Sequence, residues 1–178
     1  MKQIYLNFFT TQQSLIKDHI KKYSSLEKED ILGTNKSMER QKDLGGIIVN
    51  YDLEQKAIVN SYDILVPGGS CFLGDRILVA SQIKNHIEVL DKNLKFISRI
   101  NNLLFNNVHS IFVTKENTLI VTSTGLDAII EIDLEGNLIF KWFAFEHGYE
   151  RDMFGNKREI NYNGDYRNLD FPTLYHTT

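Results

Sequence analysis

A block of strand-like sequence occurs twice in this chain, about 42 residues apart, and half of it occurs a third time. Ile77-Leu78-Val79-Ala80-Ser81 aligns with Leu119-Ile120-Val121-Thr122-Ser123 at an offset of 42. Ile87-Glu88-Val89 then aligns with Ile130-Glu131-Ile132 at 43, and Leu94 with Leu138 at 44. Residues 46–62 repeat the second half of the block, with a turn at Leu53-Glu54-Gln55-Lys56. A period near 42 built only from strand-like pieces predicts four short strands per repeat.

The spacing places those strands in the last full copy at 109–113, 119–123, 128–133 and 137–143. The second is apolar on both sides, as a central buried strand should be. In the third, Ala128, Ile130 and Ile132 fall on one face and Glu131 and Asp133 on the other. In the fourth, Leu138, Phe140 and Trp142 are expected to share a face, with Lys141 pointing away. A period of two marks strands buried on one side. Lys115-Glu116-Asn117, Ser123 to Asp127, and Leu134-Glu135-Gly136-Asn137 supply the turns, with Gly136 free to take a positive φ.

A four-stranded meander cannot cover both of its own faces, so its neighbours must. Sheets stacked radially in this way form a β-propeller. The expected fold is therefore all-β: a partial β-propeller of four-stranded antiparallel blades. The segments IEVLDKNLKFISRI and AIIEIDLEGNLIFKWF resemble the outer hairpins of NHL-like six-bladed propeller repeats. That resemblance implies a turn of the form aspartate, two residues, Gly, apolar after the third strand. Asp133, Gly136 and Leu138 match it; Asp91, Asn93 and Leu94, and Asp52, Lys56 and Ile58, match in part. Proteins of this kind include protein- and RNA-binding platforms and sugar-lactone hydrolases, so the resemblance implies an architecture more than an activity.

Six blades need about 250 residues and four about 170, whereas the repeat here spans 46–143 of 178 residues. The sequence divides into an N-terminal segment, 1–45, a partial blade, 46–66, blades at 67–104 and 105–143, and an inter-blade insertion with the start of a further blade, 144–178. The N-terminal segment reads either as a degenerate blade, with a strand at 1–9, or as helical, with Leu15, Ile16, His19, Ile20 and Tyr23 on one face. His109 and His176 begin similar stretches, but the link from Phe143 to His176 is 24 residues longer than that from Ile100 to His109. On this reading the chain is the amino-terminal part of a larger propeller. Its last sheet then exposes an apolar face, to be covered either by the loop folding back, using Phe143, Phe145, Tyr149, Met153, Phe154 and Tyr162, or by a partner.

The net charge of −3 gives no general attraction to nucleic acid or anionic membrane. No apolar run reaches the length of a spanning helix, and the N-terminus lacks a secretory pattern. With Cys71 the single cysteine, no internal disulfide can form, and a reducing, cytoplasmic location is expected. Expected partners are another protein, a second copy, or further blades.

Chemistry has fewer handles. His109 stands where an inner strand begins, at the position of Gly69 in the preceding copy. His176 has the same local placement. Glu146-His147, near Glu150 and Asp152, offers acid–base groups or ligands for a divalent metal, the one cofactor the residue types allow, though no zinc spacing is present. Asp127 and Arg151 are candidate ligand-binding residues at the loop face. Gly68-Gly69-Ser70 lacks phosphate-loop spacing and reads as a turn. Two functional classes follow: a binding or scaffold propeller recognising a protein or small ligand, or a propeller enzyme of lactone-hydrolase or group-transfer type working through His109, Glu146, His147 and His176.

Overall fold

The computed structural model describes residues 2–18, 21, 44–151, 157 and 160–168. Its strands are β1 (Gln3–Phe8), β2 (Ile47–Asp52), β3 (Ala57–Asp63), β4 (Pro67–Leu73), β5 (Arg76–Ser81), β6 (His86–Asp91), β7 (Phe96–Ile100), β8 (Val108–Val113), β9 (Leu119–Ser123), β10 (Ala128–Ile132) and β11 (Leu138–Phe143). They form three antiparallel sheets, ordered β1-β2-β3, β4-β5-β6-β7 and β8-β9-β10-β11. In the N-terminal segment, His19, Ile20 and Tyr23 of the expected helical face lie outside the described residues. β1 completes a three-stranded first blade, and residues 13–18 are helical.

The sheets stack face to face. Ile48 and Ile64 of blade one pack with Ile77, Val79, Leu90 and Leu94 of blade two. Leu78, Ala80, Ile87, Val89 and Ile100 on the other face of blade two pack with Leu119, Val121, Ile130 and Ile132 of blade three. Tyr5 crosses the first seam, its ring edge-on to Phe72 at 5.5 Å and its hydroxyl donating to the Lys92 carbonyl at 2.7 Å. The chain is an arc of three β-propeller blades.

The ladders fix how the blades correspond. Ile48 pairs with Tyr62, Ile87 with Ile100, and Ile129 with Trp142. Tyr5 pairs with Asn50, Leu78 with Val89, and Ile120 with Glu131. These are equivalent positions on the face each blade turns toward the next, its front face. The third strands therefore align Ile87 with Ile129, not Ile130. The offset expected to drift is constant between blades two and three across the second, third and fourth strands, and each fourth strand carries the same one-residue bulge, at Val59, Ile97 and Ile139. A bulge between Glu131 and Ile132 inserts Ile139 into β11. Leu138 then faces with Ile132 while Phe140 faces with Glu131, and the two do not share a face.

The turns recur as well. Asp91 Oδ1 accepts from the Asn93 and Lys95 N–H groups, and Asp133 Oδ1 from those of Glu135 and Asn137, all at 2.7–3.0 Å. Asp52 does the same for Glu54 and Gln55. The left-handed residue of each turn is Lys56, Leu94 or Gly136, so the counterpart of Gly136 is Leu94, at φ 60°, rather than Asn93. Val66 and Asn107, and Asn85 and Asp127, are further left-handed positions at matching places in two blades.

Gly68 and Gly69 lie inside β4 rather than in a turn. The innermost strands β4 and β8 approach so closely there that a Cβ on Gly68 would meet the His109 carbonyl oxygen at 2.5 Å. Val108 pairs with Ser123 as Pro67 pairs with Ser81, so the residue equivalent to His109 is Gly68, one position from the Gly69 expected.

Among the described residues after β11, part folds back beside the seam between blades two and three, and part, His147 and Tyr149, lies against one end of the front of blade three. Tyr166 is buried in the seam between blades two and three. Its N–H donates to the Leu103 carbonyl and its carbonyl accepts from Asn106 Nδ2. Asn85 Nδ2 donates to the Arg167 carbonyl at 2.7 Å. Phe143, Phe145 and Tyr162 gather beside it, with Phe143 and Tyr162 rings 5.4 Å apart. The front face of blade three stays open, with Ile129 42% and Phe140 52% exposed. Phe105 and Phe143 are buried in the core, whereas Phe72, Phe96, Phe112 and Phe140 are exposed.

Candidate functional site

A groove of about 440 Å³ opens where β9, β10 and β11 meet the blade-connecting end of the third sheet. It is lined by Thr122, Thr124, Asp127, Ile129, Trp142 and Tyr149, with Ala128 and Ala144 at its base. Alternation on the pleat puts Thr122, Ile129 and Trp142 side by side, since Ile129 pairs with both of the others. The turn Thr124–Leu126 is a single 3₁₀ turn ending on Asp127 in the left-handed region. The Asp127 N–H donates to the Thr124 carbonyl, and the Asp127 carbonyl accepts from Ala144 N–H at 3.0 Å. The backbone of Asp127 thus closes the turn, and the residue lines the groove.

Gly125 is demanded by close approach. A Cβ there would lie 1.7 Å from Asn106 Oδ1. Asn106 is buried and ties this turn to the folded-back segment through Tyr166.

The other candidate residues are held in separate contacts. The His147 ring stacks flat on Trp142, centroids 4.9 Å apart and planes 7° from parallel, so it backs one wall of the groove. Neighbouring Glu146 accepts a short hydrogen bond from the Tyr162 hydroxyl, and this bond chiefly raises the Tyr162 pKa. Lys141 Nζ lies 4.1 Å from the centre of the Tyr162 ring. His109 is exposed on β8, with Nδ1 3.4 Å from Ser110 Oγ. Arg151 is exposed and forms an isolated antiparallel bridge with Lys157. His176 and Asp152 lie outside the described residues. Asp127 and His147 are therefore brought to one place, Glu146 is turned toward Tyr162, and His109 and Arg151 are not among the groove residues. Among the described residues, no three His, Cys, Asp or Glu side chains gather as a metal site.

Sequence reading missed Trp142 and Tyr149 as groove residues. The period of two had assigned Trp142 to the core. The usable signal was its place on the front face of the last repeat, where nothing in the repeat supplies a cover.

It also missed a buried charge at the first seam. Glu88, 5% exposed, accepts from His86 Nε2 at 2.8 Å and from Arg99 Nε at 3.1 Å. Burial alone would push its carboxyl up, but the hydrogen bonds and charges of His86 and Arg99 together hold it below the usual glutamate value. In blade three the equivalent residue is Ile130, so the ion cluster is not a requirement of the fold.

Strand order, seams and recurring turns define the class: an all-β propeller arc with an open face and a groove at its connecting end. No family model matches the chain, and no curated protein does. Among solved structures it is similar to a catalytically inactive virginiamycin B lyase from Staphylococcus aureus with quinupristin, at 15% identity over 59% of this chain and 39% of that one, TM-score 0.43. It is similar to a glutaminyl cyclase from Myxococcus xanthus at 11% identity over 65% of this chain and 47% of that one, TM-score 0.45. A hydrazine synthase from Kuenenia stuttgartiensis matches at 17% identity over 61% and 34%, TM-score 0.45. The chain thus spans between 34% and 47% of the length of these three structures. No helix among the described residues is long and apolar enough to cross a membrane.

Proposed function

We propose that this chain is a cytoplasmic binding module of NHL-like propeller type, and that the groove at the connecting end of blade three is where it recognises its ligand. The observation that carries this reading is the chemistry of the wall. Two aromatic rings, Trp142 and Tyr149, stand with a carboxylate, Asp127, and two hydroxyls, Thr122 and Thr124. Aromatic faces attract flat apolar groups and cations, and a carboxylate accepts hydrogen bonds from ammonium or amide donors. The ligand best fitted is a small molecule, or a protein side chain, with a flat apolar body and a cationic or hydrogen-bond-donating end.

Trp142 is the single tryptophan of the chain, so intrinsic fluorescence reports on the groove directly. Benzylammonium is expected to change that fluorescence saturably and more tightly than its neutral counterpart, benzyl alcohol. Asp127→Asn should weaken the ammonium ion about tenfold, the worth of roughly 1.4 kcal/mol, and leave the alcohol unaffected. Equal binding of the two probes, or no binding of either, removes the basis of the reading.

A further inference from the structure

The open front face of blade three repeats two faces that are already covered. Down the equivalent positions run Ile48, Ile87 and Ile129 on the third strands, and Tyr5, Leu78 and Ile120 on the second. Ile48 and Ile87 are each 0% exposed, whereas Ile129 is 42% exposed. Leu78 is 0% exposed and Ile120 36%. Phe112, which pairs with Ile120 and shares its face, is 63% exposed. Its counterpart in blade two is Cys71, packed into the second seam. Polar residues at Thr122 and Glu131 do not disqualify this face. The front of blade one carries Asn7 and Asn50 at the same places, and blade two still packs on it.

The two seams also show what such a face accepts. The covering sheet presents Ile77, Val79 and Leu90 in the first seam, and Leu119, Val121 and Ile132 in the second. Each set lies on the back face of its blade. The same positions in blade one are Ile4, Leu6 and Tyr51, since Ile4 pairs with Tyr51 as Ile77 pairs with Leu90. Leu6 is 38% and Phe8, two residues along the same face, 48% exposed. Val49, which pairs with Leu6 on that face, is already buried, so the free part of the face is its β1 side, at Leu6 and Phe8. One copy therefore displays both halves of a seam it makes twice internally: an open front at blade three and a partly open back at blade one.

We infer that the chain associates with a second copy of itself head to tail, the front face of blade three packing on the back face of blade one in its neighbour. Such an interface is heterologous, continues the internal stacking, and closes into a ring where the rotation allows. The ligand groove takes up the connecting end of this same front face and shares Thr122, Ile129 and Trp142 with it, so a copy packed there and a groove ligand compete. Ile120 and Phe112 lie outside the groove, and variants at them test the association apart from ligand binding.

Sedimentation and light scattering on the purified chain test it. A discrete assembly heavier than the 20.6 kDa monomer is expected. Ile120→Asp removes the front surface and Leu6→Asp the back. Each variant alone should run as a monomer, and an equimolar mixture should form a heterodimer, because each retains the surface the other lacks. Phe112→Ser and Phe8→Ser are the milder pair, with the same pattern expected, and the circular dichroism of every variant must match the parent. A monomeric parent overturns the inference and leaves the face to a different occupant. So does an assembly indifferent to both front-face variants. So does one abolished by Ile120→Asp but untouched by Leu6→Asp and Phe8→Ser, which would mean that two fronts pack on each other.

Discussion

Blades two and three are built from one pattern and meet opposite fates. Ile87 and Ile129 occupy the same place on the same strand, each with a cross-strand partner on either side. One is sealed and the other 42% exposed. Nothing within the sheet makes the difference; the neighbouring sheet does. An apolar residue in a repeat records what the architecture places beside it, and its burial is a property of the stack rather than of the strand. The energetic weight of these positions should therefore differ although their sequence context is alike.

Truncating the two isoleucines is the most severe test of that contrast. Ile87→Ala opens a cavity in a closed seam and should cost about 2–5 kcal/mol. Ile129→Ala removes a side chain already in water and should cost less than about 1 kcal/mol in the isolated monomer. Denaturant unfolding of both variants measures the gap. Equal losses would mean that blade three is covered in solution, and would join the two blades in one class.

Glu88 and Ile130 provide a finer comparison, since the same back-face position is ionic in one blade and apolar in the other. Because His86 and Arg99 hold the Glu88 carboxyl below its ordinary value of 4.5 in the folded chain, the charged cluster stabilises the fold above that pH. The contribution is lost as pH falls through the lowered folded value. Glu88→Gln should cost about 1–3 kcal/mol at neutral pH, and the melting temperatures of parent and variant should converge below pH 4.5. A constant difference across that range would assign the loss to packing alone.

The smallest effect concerns Cys71 and its counterpart Phe112. Burial pushes the Cys71 thiol up to about 11, against a small opposing hydrogen bond with the Val113 backbone. At pH 8 its thiolate population should fall about a hundredfold below that of a free thiol, and alkylation should slow accordingly. The stabilisation from keeping this thiol neutral is complete below its ordinary value of 9.0 and disappears as pH rises to about 11. A Phe112→Cys variant places a second thiol at the matching open position. It should add a fast alkylation phase while Cys71 remains slow, and two slow thiols would again point to a covered front face.

The repeat made most of the fold legible. β9 falls where the spacing placed it, and β8, β10 and β11 differ by a residue at one end. Aspartates 52, 91 and 133 mark the turns because their carboxylates satisfy two backbone donors each, which few other residues can do. The errors have two origins. A bulge is a single added residue with no chemical mark, so Ile139 was invisible and the fourth strand was assigned the wrong face. Leu94 in a left-handed turn contradicts its own preference, and so the equivalence with Gly136 was hidden. The groove was legible only in pieces. Asp127 stood out as a carboxylate at a turn and His147 as a loop histidine, but their meeting at Trp142 depends on a 3₁₀ turn after β11 that no periodicity announces.

The two bare glycines at the start of β4 leave main chain against main chain beside the axis. Without side chains as spacers, the wedge angle between blades two and three is set by the thickness of a peptide group. A single methyl inserted at residue 68 would pry the inner edges apart while the outer strands stayed in touch. The sheets would then splay toward parallel, and more of them would be required to complete a turn.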